Sequence, residues 1–319
     1  MTGLKPVIGL EDVFGVRARA LRELQNKLFK TYTDAGYEEV IPPLVERPHI
    51  LSTGAGSFLT EQTLVFSDPA DAGLLAIRPD MTPQVARIAA TRMQDSEELK
   101  LYYSGQVMVS RPDARTGSRQ QWQTGVECLG LAGESGDVEV MQLAALSMHA
   151  AGFSAPVLQV GHMGLIRAVL SDSSTDMETW SLLLSRRSPE DMNRRLAKET
   201  MSQEHKDALI AMVSGRADRA WLNENKSKLG DEFELAANEL MHLVDAVKDR
   251  LSGEVAVNID AAVMPRFLYH SGIVFSGFAA GVAQELLNGG RYDEMMKLHG
   301  RDMPATGFSF DLWAWLDAV

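Results

Sequence analysis

Cysteine occurs once in these 319 residues, at Cys128. One thiol excludes an internal disulfide and any zinc site built from several cysteines. Its place in an apolar, alternating run points to a buried and inert group. A continuous apolar run of about 18 residues, the length that spans a bilayer, is also missing. The start, "MTGLKPVIGLED", lacks a basic segment followed by an apolar stretch, so the expected location is the cytoplasm, with no membrane partner. Positive charge is scarce. The 31 Lys and Arg against 43 Asp and Glu leave a net charge of -12, which argues against a broad nucleic-acid surface. The seven histidines are scattered without metal-ligand spacing, and no phosphate loop, dinucleotide fingerprint or nucleophile elbow is found. No metal or cofactor is expected.

What remains is an ordinary globular composition, 45% hydrophobic and 23% charged, long enough for about two domains or one with an insertion. Val16, Ala20, Leu21, Leu24, Leu28 and Tyr32 recur at helical spacing over 14–35, and Gly36 ends that helix. "YEEVIPP" reads as a strand running into a Pro-Pro break, and "MTPQVARIAATRM", 81–93, as a helix. "LKLYYSGQVMV", 99–109, and "QQWQTGVECLGL", 120–131, read as strands joined by the polar loop "SRPDARTGSR", an antiparallel hairpin. A helix follows over 136–152, starting near Asp137. From about Ser171 to Leu251 the chain is charged, Met-rich and helical, with its methionines expected in a core. Strand signals return in "VAVNID" and "GIVFSGFAAG", and the tail reads as a strand feeding a helix. Strands grouped in hairpins favour an antiparallel sheet. The expectation is an α+β core over 1–170 and 252–319 with a helical insertion over 171–251.

Five short stretches offer chemistry. "LLNGGRYDEM" places Arg291, Tyr292 and Asp293 after two glycines, which suit a tight turn or a close approach to a ligand. "IRPDMTPQVAR" puts Arg78, Asp80 and Thr82 at a strand-to-helix junction, where Asp80 and Thr82 would bind an amine or simply cap the helix. In "WQTGVECLG", alternation places Gln123, Gly125, Glu127 and Leu129 on one face. That face is a polar pocket floor, or the wet side of a half-exposed strand. "FLYHSGIVFSGF" contributes Tyr269 and His270, and "QVGHMG" contributes His162; each histidine alone is an ordinary packed or surface residue.

In order, these segments resemble the class II aminoacyl-tRNA synthetase core, specifically the histidyl type. "GYEEVIPPLVE" looks like the dimer-forming motif 1 and "IRPDMT" like R-P-E-G-T. "YYSGQVMVSRPDARTGSRQQWQTGVE" looks like motif 2, and "YHSGIVF" like Y-Y-T-G-x-V-F. "GGRYD" matches identically, and "PATGFSFDLWAWL" looks like motif 3. The resemblance covers nearly the whole chain outside the helical stretch. It implies a class II synthetase-like antiparallel sheet flanked by helices, with no anticodon-binding domain after motif 3.

The departures shape the function that the resemblance implies. The motif 2 arginine on the α-phosphate corresponds to Val109, the motif 3 arginine to Ala314, and the arginine of R-G-L-D-Y-Y to Pro265, with Arg266 one position out of register. Removing one donor aimed at developing charge costs roughly 3–4 kcal/mol, so loss of three implies almost no adenylation. The amino-acid pocket is better kept: Asp80 stands for a Glu, Thr82, Gln123, Glu127, Tyr269 and Tyr292 match, and His270 replaces a Tyr. Asp293 is expected to be structural. This combination, with "QVGHMGLIRAVL", resembles the ATP phosphoribosyltransferase regulatory subunits. It implies a non-catalytic subunit that activates a short-form catalytic subunit in a hetero-octamer, pairs with itself through motif 1, and carries feedback by L-histidine in the first step of histidine biosynthesis, with no tRNA. Asp80 and Glu127 would take the ligand's ammonium or imidazole N–H, Thr82 and Gln123 would orient it, and Tyr269, His270 and Tyr292 would enclose it. Arg111, Arg119 or Arg266 would replace the lost carboxylate partner. The alternatives are an amino-acid adenylating enzyme or ligase using Arg111, Arg115 and Arg119 on ATP, and an interaction module with a vestigial pocket.

Overall fold

A computed structural model describes residues 6–54, 56–113, 116–251, 253, 255–265 and 268–319. The chain opens with helix α1 (Gly15–Asp34), then the short strands β1 (Glu38–Glu39) and β2 (Val45–Glu46) on either side of Pro42 and Pro43. Two short helices, α2 (Pro48–Ser52) and α3 (Gly56–Gln62), lead to the hairpin β3 (Leu64–Ser67) and β4 (Leu74–Ile77). Helix α4 (Thr82–Arg92), the long hairpin β5 (Leu99–Met108) and β6 (Gln120–Leu129), and helix α5 (Glu134–Ala151) follow. Strand β7 (Val157–His162) and helix α6 (Met163–Val169) precede a helical stretch made of α7 (Met177–Arg186), α8 (Pro189–Leu196), α9 (Gln203–Val213), α10 (Arg219–Asn225) and α11 (Asp231–Leu251). The chain then returns to β8 (Ala256–Ile259), β9 (Ile273–Phe278), β10 (Leu287–Arg291), α12 (Asp293–Leu298), β11 (Ala305–Asp311) and α13 (Leu312–Ala318).

Among the described residues these strands form an eight-stranded sheet, ordered β1-β5-β6-β11-β10-β9-β7-β8, and a three-stranded sheet, β2-β4-β3. The large sheet is antiparallel through its centre, as the hairpin pattern suggests. Its edge pairs β1–β5 and β7–β8 are parallel, so the sheet is mixed rather than purely antiparallel. Neither edge pair is a hairpin, and a polar-apolar pattern does not report which way a strand runs. The "YEEVIPP" strand shrinks to Glu38–Glu39, because the prolines that follow carry no N–H for a ladder.

Local chemistry explains the helices. Acidic Glu134 and Asp137 lie in the first turn of α5, and left-handed Gly152 closes it. In the helical stretch, the side chains of Asp176, Ser188, Ser202 and Asp218 each accept an N–H at the start of α7, α8, α9 and α10, which is why one charged segment breaks into several short helices.

Strand alternation divides the core. Tyr102, Val126, Cys128 and Phe308 face α1 and α5 in the larger cluster, which continues into the helical stretch through Trp180, Met212 and Leu240. Leu101, Tyr103, Leu129 and Tyr292 face α4 and α12 in the smaller one. The methionines Met192 and Met212 are fully buried. Burial pushes the Cys128 thiol up to about 12, leaving it unreactive.

The glycines of "GGRYD" lie in β10, between β9 and β11. A Cβ at Gly289 would overlap the Gly307 carbonyl and lie 2.7 Å from Phe275 and from Phe308. These glycines admit neighbouring strands and rings, and do not form a turn around a ligand. Gly289→Ala is expected to lower unfolding stability by about 2–3 kcal/mol, as overpacking does, read as a lower denaturation midpoint at unchanged slope. An unaltered midpoint would show that the sheet can yield there.

Candidate functional site

The polar residues singled out from four separate segments converge on the α4 face of the sheet. Glu127 sits on β6 opposite Leu101 and is 2% exposed. Its Oε1 accepts from Thr82 Oγ1 at 2.9 Å and from the Tyr103 hydroxyl at 3.1 Å. Its Oε2 accepts from the Tyr292 hydroxyl at 2.6 Å. Asp80, fully buried, accepts at Oδ1 from Gln123 Nε2 at 2.7 Å and at Oδ2 from the Tyr269 hydroxyl at 3.2 Å. Gln123 also accepts the Met81 N–H at 2.9 Å and reaches Ser309 Oγ at 3.2 Å. The polar face of β6 is therefore buried and fully engaged, not the wet side of a half-exposed strand.

Asp80 also accepts the Thr82 N–H at 3.3 Å, so it partly satisfies the start of α4 while serving the network. Tyr269 stacks on His270 with ring centres 4.6 Å apart and meets Tyr292 edge-on at 6.0 Å. Room for the network comes from glycine. A Cβ on Gly125 would lie 2.6 Å from the Tyr103 hydroxyl, and one on Gly307 would collide with Glu127 Oε2.

Arg291 and Asp293 point elsewhere. Arg291 pairs with Asp137 at 2.8 Å and donates to the Gly133 carbonyl, while Asp293 accepts the Ala305 N–H at 2.8 Å. "GGRYD" thus supplies one group to the site, Tyr292, and two to the framework. His162 is likewise structural: its Nδ1 accepts the Gly164 N–H at the start of α6, and its Nε2 lies 3.1 Å from Glu239.

The two described candidate carboxylate partners, Arg111 and Arg119, stay apart from this network. Exposed Arg111 lies 3.8 Å from Glu61. Arg119 lays its stem against Gly9 and donates from Nε to the Val109 carbonyl at 3.3 Å. Arg266 and Arg115 fall outside the described residues. Tyr103 was missed in the sequence. Its signal was available in outline, since a hairpin register that pairs it with Gly125 puts its ring over the glycine gap.

A cavity of about 710 Å³ adjoins the network at Gln123 and Ser309. Pro265 and Ala314 line it, and α7 contributes Glu178 and Leu182. Val109 is buried, with its N–H on the Arg119 carbonyl. Among the described residues the one Lys or Arg lining this cavity is Arg17, paired with Glu11 at 3.1 Å and Asp317 at 2.8 Å.

Electrostatically the site is two buried carboxylates held by neutral donors. Among the described residues no Lys or Arg pairs with either. Burial pushes the Glu127 carboxyl up to about 8 and Asp80 adds repulsion, while the hydroxyls of Tyr292, Thr82 and Tyr103 oppose the rise. Burial also raises Tyr103, Tyr269 and Tyr292 well above the usual tyrosine range, so they remain donors. Such a site is short of positive charge and suits a cationic or N–H-bearing ligand.

Comparisons with known proteins fit this geometry. Residues 9–314 match the histidyl-tRNA synthetase family model. The chain is 34% identical over 310 residues to the ATP phosphoribosyltransferase regulatory subunit of Thioalkalivibrio sulfidiphilus (strain HL-EbGR7), covering 95% of this chain and 78% of that one. It is 34% identical over 306 residues to the protein of that name from Burkholderia cenocepacia (strain HI2424), covering 95% and 79%. Among solved structures it resembles an ATP phosphoribosyltransferase regulatory subunit/histidyl-tRNA synthetase from Bacillus halodurans C, with TM-score 0.84 and 23% identity over 99% of this chain and 83% of that one. It also resembles histidyl-tRNA synthetase from Nostoc sp. PCC 7120, with TM-score 0.77 and 17% identity over 99% and 74%. The fold is that of the histidyl-tRNA synthetases.

The raised Glu127 carboxyl has a consequence for stability. In the unfolded chain it titrates near 4.5. Between that pH and about 8 the folded chain keeps a proton that the unfolded chain has lost, so this group's contribution is complete below 4.5 and declines as pH rises through 8. Glu127→Gln removes the decline. The variant is expected to gain on the parent by on the order of 3 kcal/mol between pH 5 and pH 8.5, read from urea unfolding at each pH. Parallel profiles would contradict the assigned environment.

Proposed function

The chain belongs to the family of ATP phosphoribosyltransferase regulatory subunits, and from that premise we propose that it is the non-catalytic subunit that activates a short-form catalytic subunit and relays feedback by L-histidine. The observation that carries this reading is the pair of buried carboxylates, Asp80 and Glu127, bonded only to neutral donors beside a cavity whose single Lys or Arg among the described residues is already paired. The ligand's ammonium takes Asp80, its imidazole N–H takes Glu127, and Tyr269, His270 and Tyr292 enclose the ring, with Thr82 and Gln123 orienting it. Adenylation would need cations on the phosphates; at three positions where the synthetase resemblance expects arginine stand Val109, Pro265 and Ala314. The cytoplasm, a hetero-octamer with the catalytic subunit and a homodimer through the motif 1 region belong to the same proposal. Exposed Ile41 and Leu44, beside β1 and β2, support that last contact. The division into a core of 1–170 and 252–319 with a helical insertion over 171–251 also belongs to the proposal. Among the described residues no helix is long and apolar enough to cross a membrane.

Feedback requires that histidine bind one state of the complex more tightly than the other, typically by about 1–3 kcal/mol of coupling. The test is turnover of ATP and phosphoribosyl pyrophosphate by a short-form catalytic subunit from the same source. This chain is expected to raise the rate, and histidine to reverse the rise. Asp80→Asn removes a charge-assisted bond worth about 1.5–3 kcal/mol, so the histidine concentration for half-inhibition is expected to rise about tenfold or more. A competent catalytic subunit unaffected by the chain would refute the assignment.

A further inference from the structure

Arg78 is 5% exposed, and its described hydrogen bonds run to backbone carbonyls. Nη1 donates to Pro42 O at 2.8 Å and to Pro43 O at 3.3 Å, and Nε donates to Gln106 O at 2.9 Å. Its own N–H donates to Leu44 O at 3.2 Å. The strand opposite is cut away for it, because a Cβ on Gly105 would overlap Nη2. Burying a guanidinium against carbonyls is costly unless every bond is kept, so these contacts hold Pro42–Leu44 firmly to the end of β4. Two positions later the same segment carries Asp80, and four positions later Thr82, both inside the carboxylate network. The irregular link 78–81 and the first residue of α4, Thr82, therefore fasten a surface segment at one end and the proposed ligand site at the other. Parallel ties lie alongside: Gln84 Nε2 donates to Pro43 O at 2.8 Å, and Arg87 pairs with Glu46 at 2.8 Å.

We propose that Arg78 is the positioning residue through which the state of the Asp80–Glu127 pocket is relayed to the Pro42–Glu46 segment, beside exposed Ile41 and Leu44. A ligand ammonium that takes the place of Gln123 or Tyr269 on the Asp80 carboxylate changes the bonds that hold it. Displacement shifts residues 80–82, and the two guanidinium bonds to the Pro42 and Pro43 carbonyls convert that shift into movement of the prolines. The proposal rests on the histidine reading of the pocket. It adds where occupancy is felt, at the segment suggested above for self-association.

The test is hydrogen exchange of the intact chain, with and without saturating L-histidine, alongside calorimetric titration of the same amino acid. Histidine is expected to change exchange over residues 38–47 by about fivefold or more, while α10, far from the pocket in sequence and bonded to α11, stays unchanged. Arg78→Lys keeps the charge but loses the fork, and is expected to bind histidine within about threefold of the parent while losing the response at 38–47. If that variant does not fold, Gly105→Ala, whose Cβ displaces the guanidinium, takes its place. Gln84→Met loosens Pro43 but leaves Arg78, and is expected to keep the response. Histidine binding without any change at 38–47 overturns the relay alone. Equal loss in Gln84→Met and the Arg78 variant overturns Arg78 as its carrier. Absence of histidine binding overturns the pocket assignment and the relay with it.

Discussion

Two carboxylates buried on one face of a sheet, with no cation beside them among the described residues, are the constraint around which this fold is arranged. A carboxylate removed from water is tolerated only where donors surround it or where it holds a proton. Glu127 has three hydroxyl donors from three elements, and Asp80 has an amide and a phenol. Each donor must approach closely. Gly125 and Gly307 leave the necessary gaps in the central strands, and Gly289 lets β9, β10 and β11 lie close beside one another.

The same constraint separates binding from chemistry. A catalytic site for acyl or phosphoryl transfer needs donors aimed at charge that develops in the transition state. Here the donors are aimed inward, at the carboxyl oxygens of Asp80 and Glu127. In the proposed sensor an entering ligand exchanges its own N–H groups for the Gln123 amide and the tyrosine hydroxyls, so its affinity is a difference between two well-satisfied states. That arrangement suits a sensor, in which modest differential binding is enough to bias a partner.

Much of this was legible in the residues. Helix α1 followed from its apolar spacing, the β5–β6 hairpin from its polar Gly-containing loop, and the shared face of Gln123, Gly125 and Glu127 from alternation alone. The order of short segments carried the synthetase fold. Other features were hidden for physical reasons. The strand character of "LNGGR" is masked because its glycines serve inter-strand packing, which local propensity does not report. The hairpin β3–β4 and strand β7 carry too little alternation to stand out. Parallel pairing at the sheet edges depends on tertiary placement. Tyr103 needed the register, and the clamp by Arg78 needed the fold, since its acceptors are carbonyls that no sequence pattern marks.

The most direct test of the sensor account is a structure of the chain with L-histidine. The expected result places one histidine per chain among Tyr269, His270 and Tyr292, its ammonium on Asp80 and an imidazole N–H on Glu127, with the Gln123–Asp80 bond exchanged for one to the ligand. Histidine found elsewhere, with both carboxylates still bound to their present hydroxyl and amide partners, would contradict it.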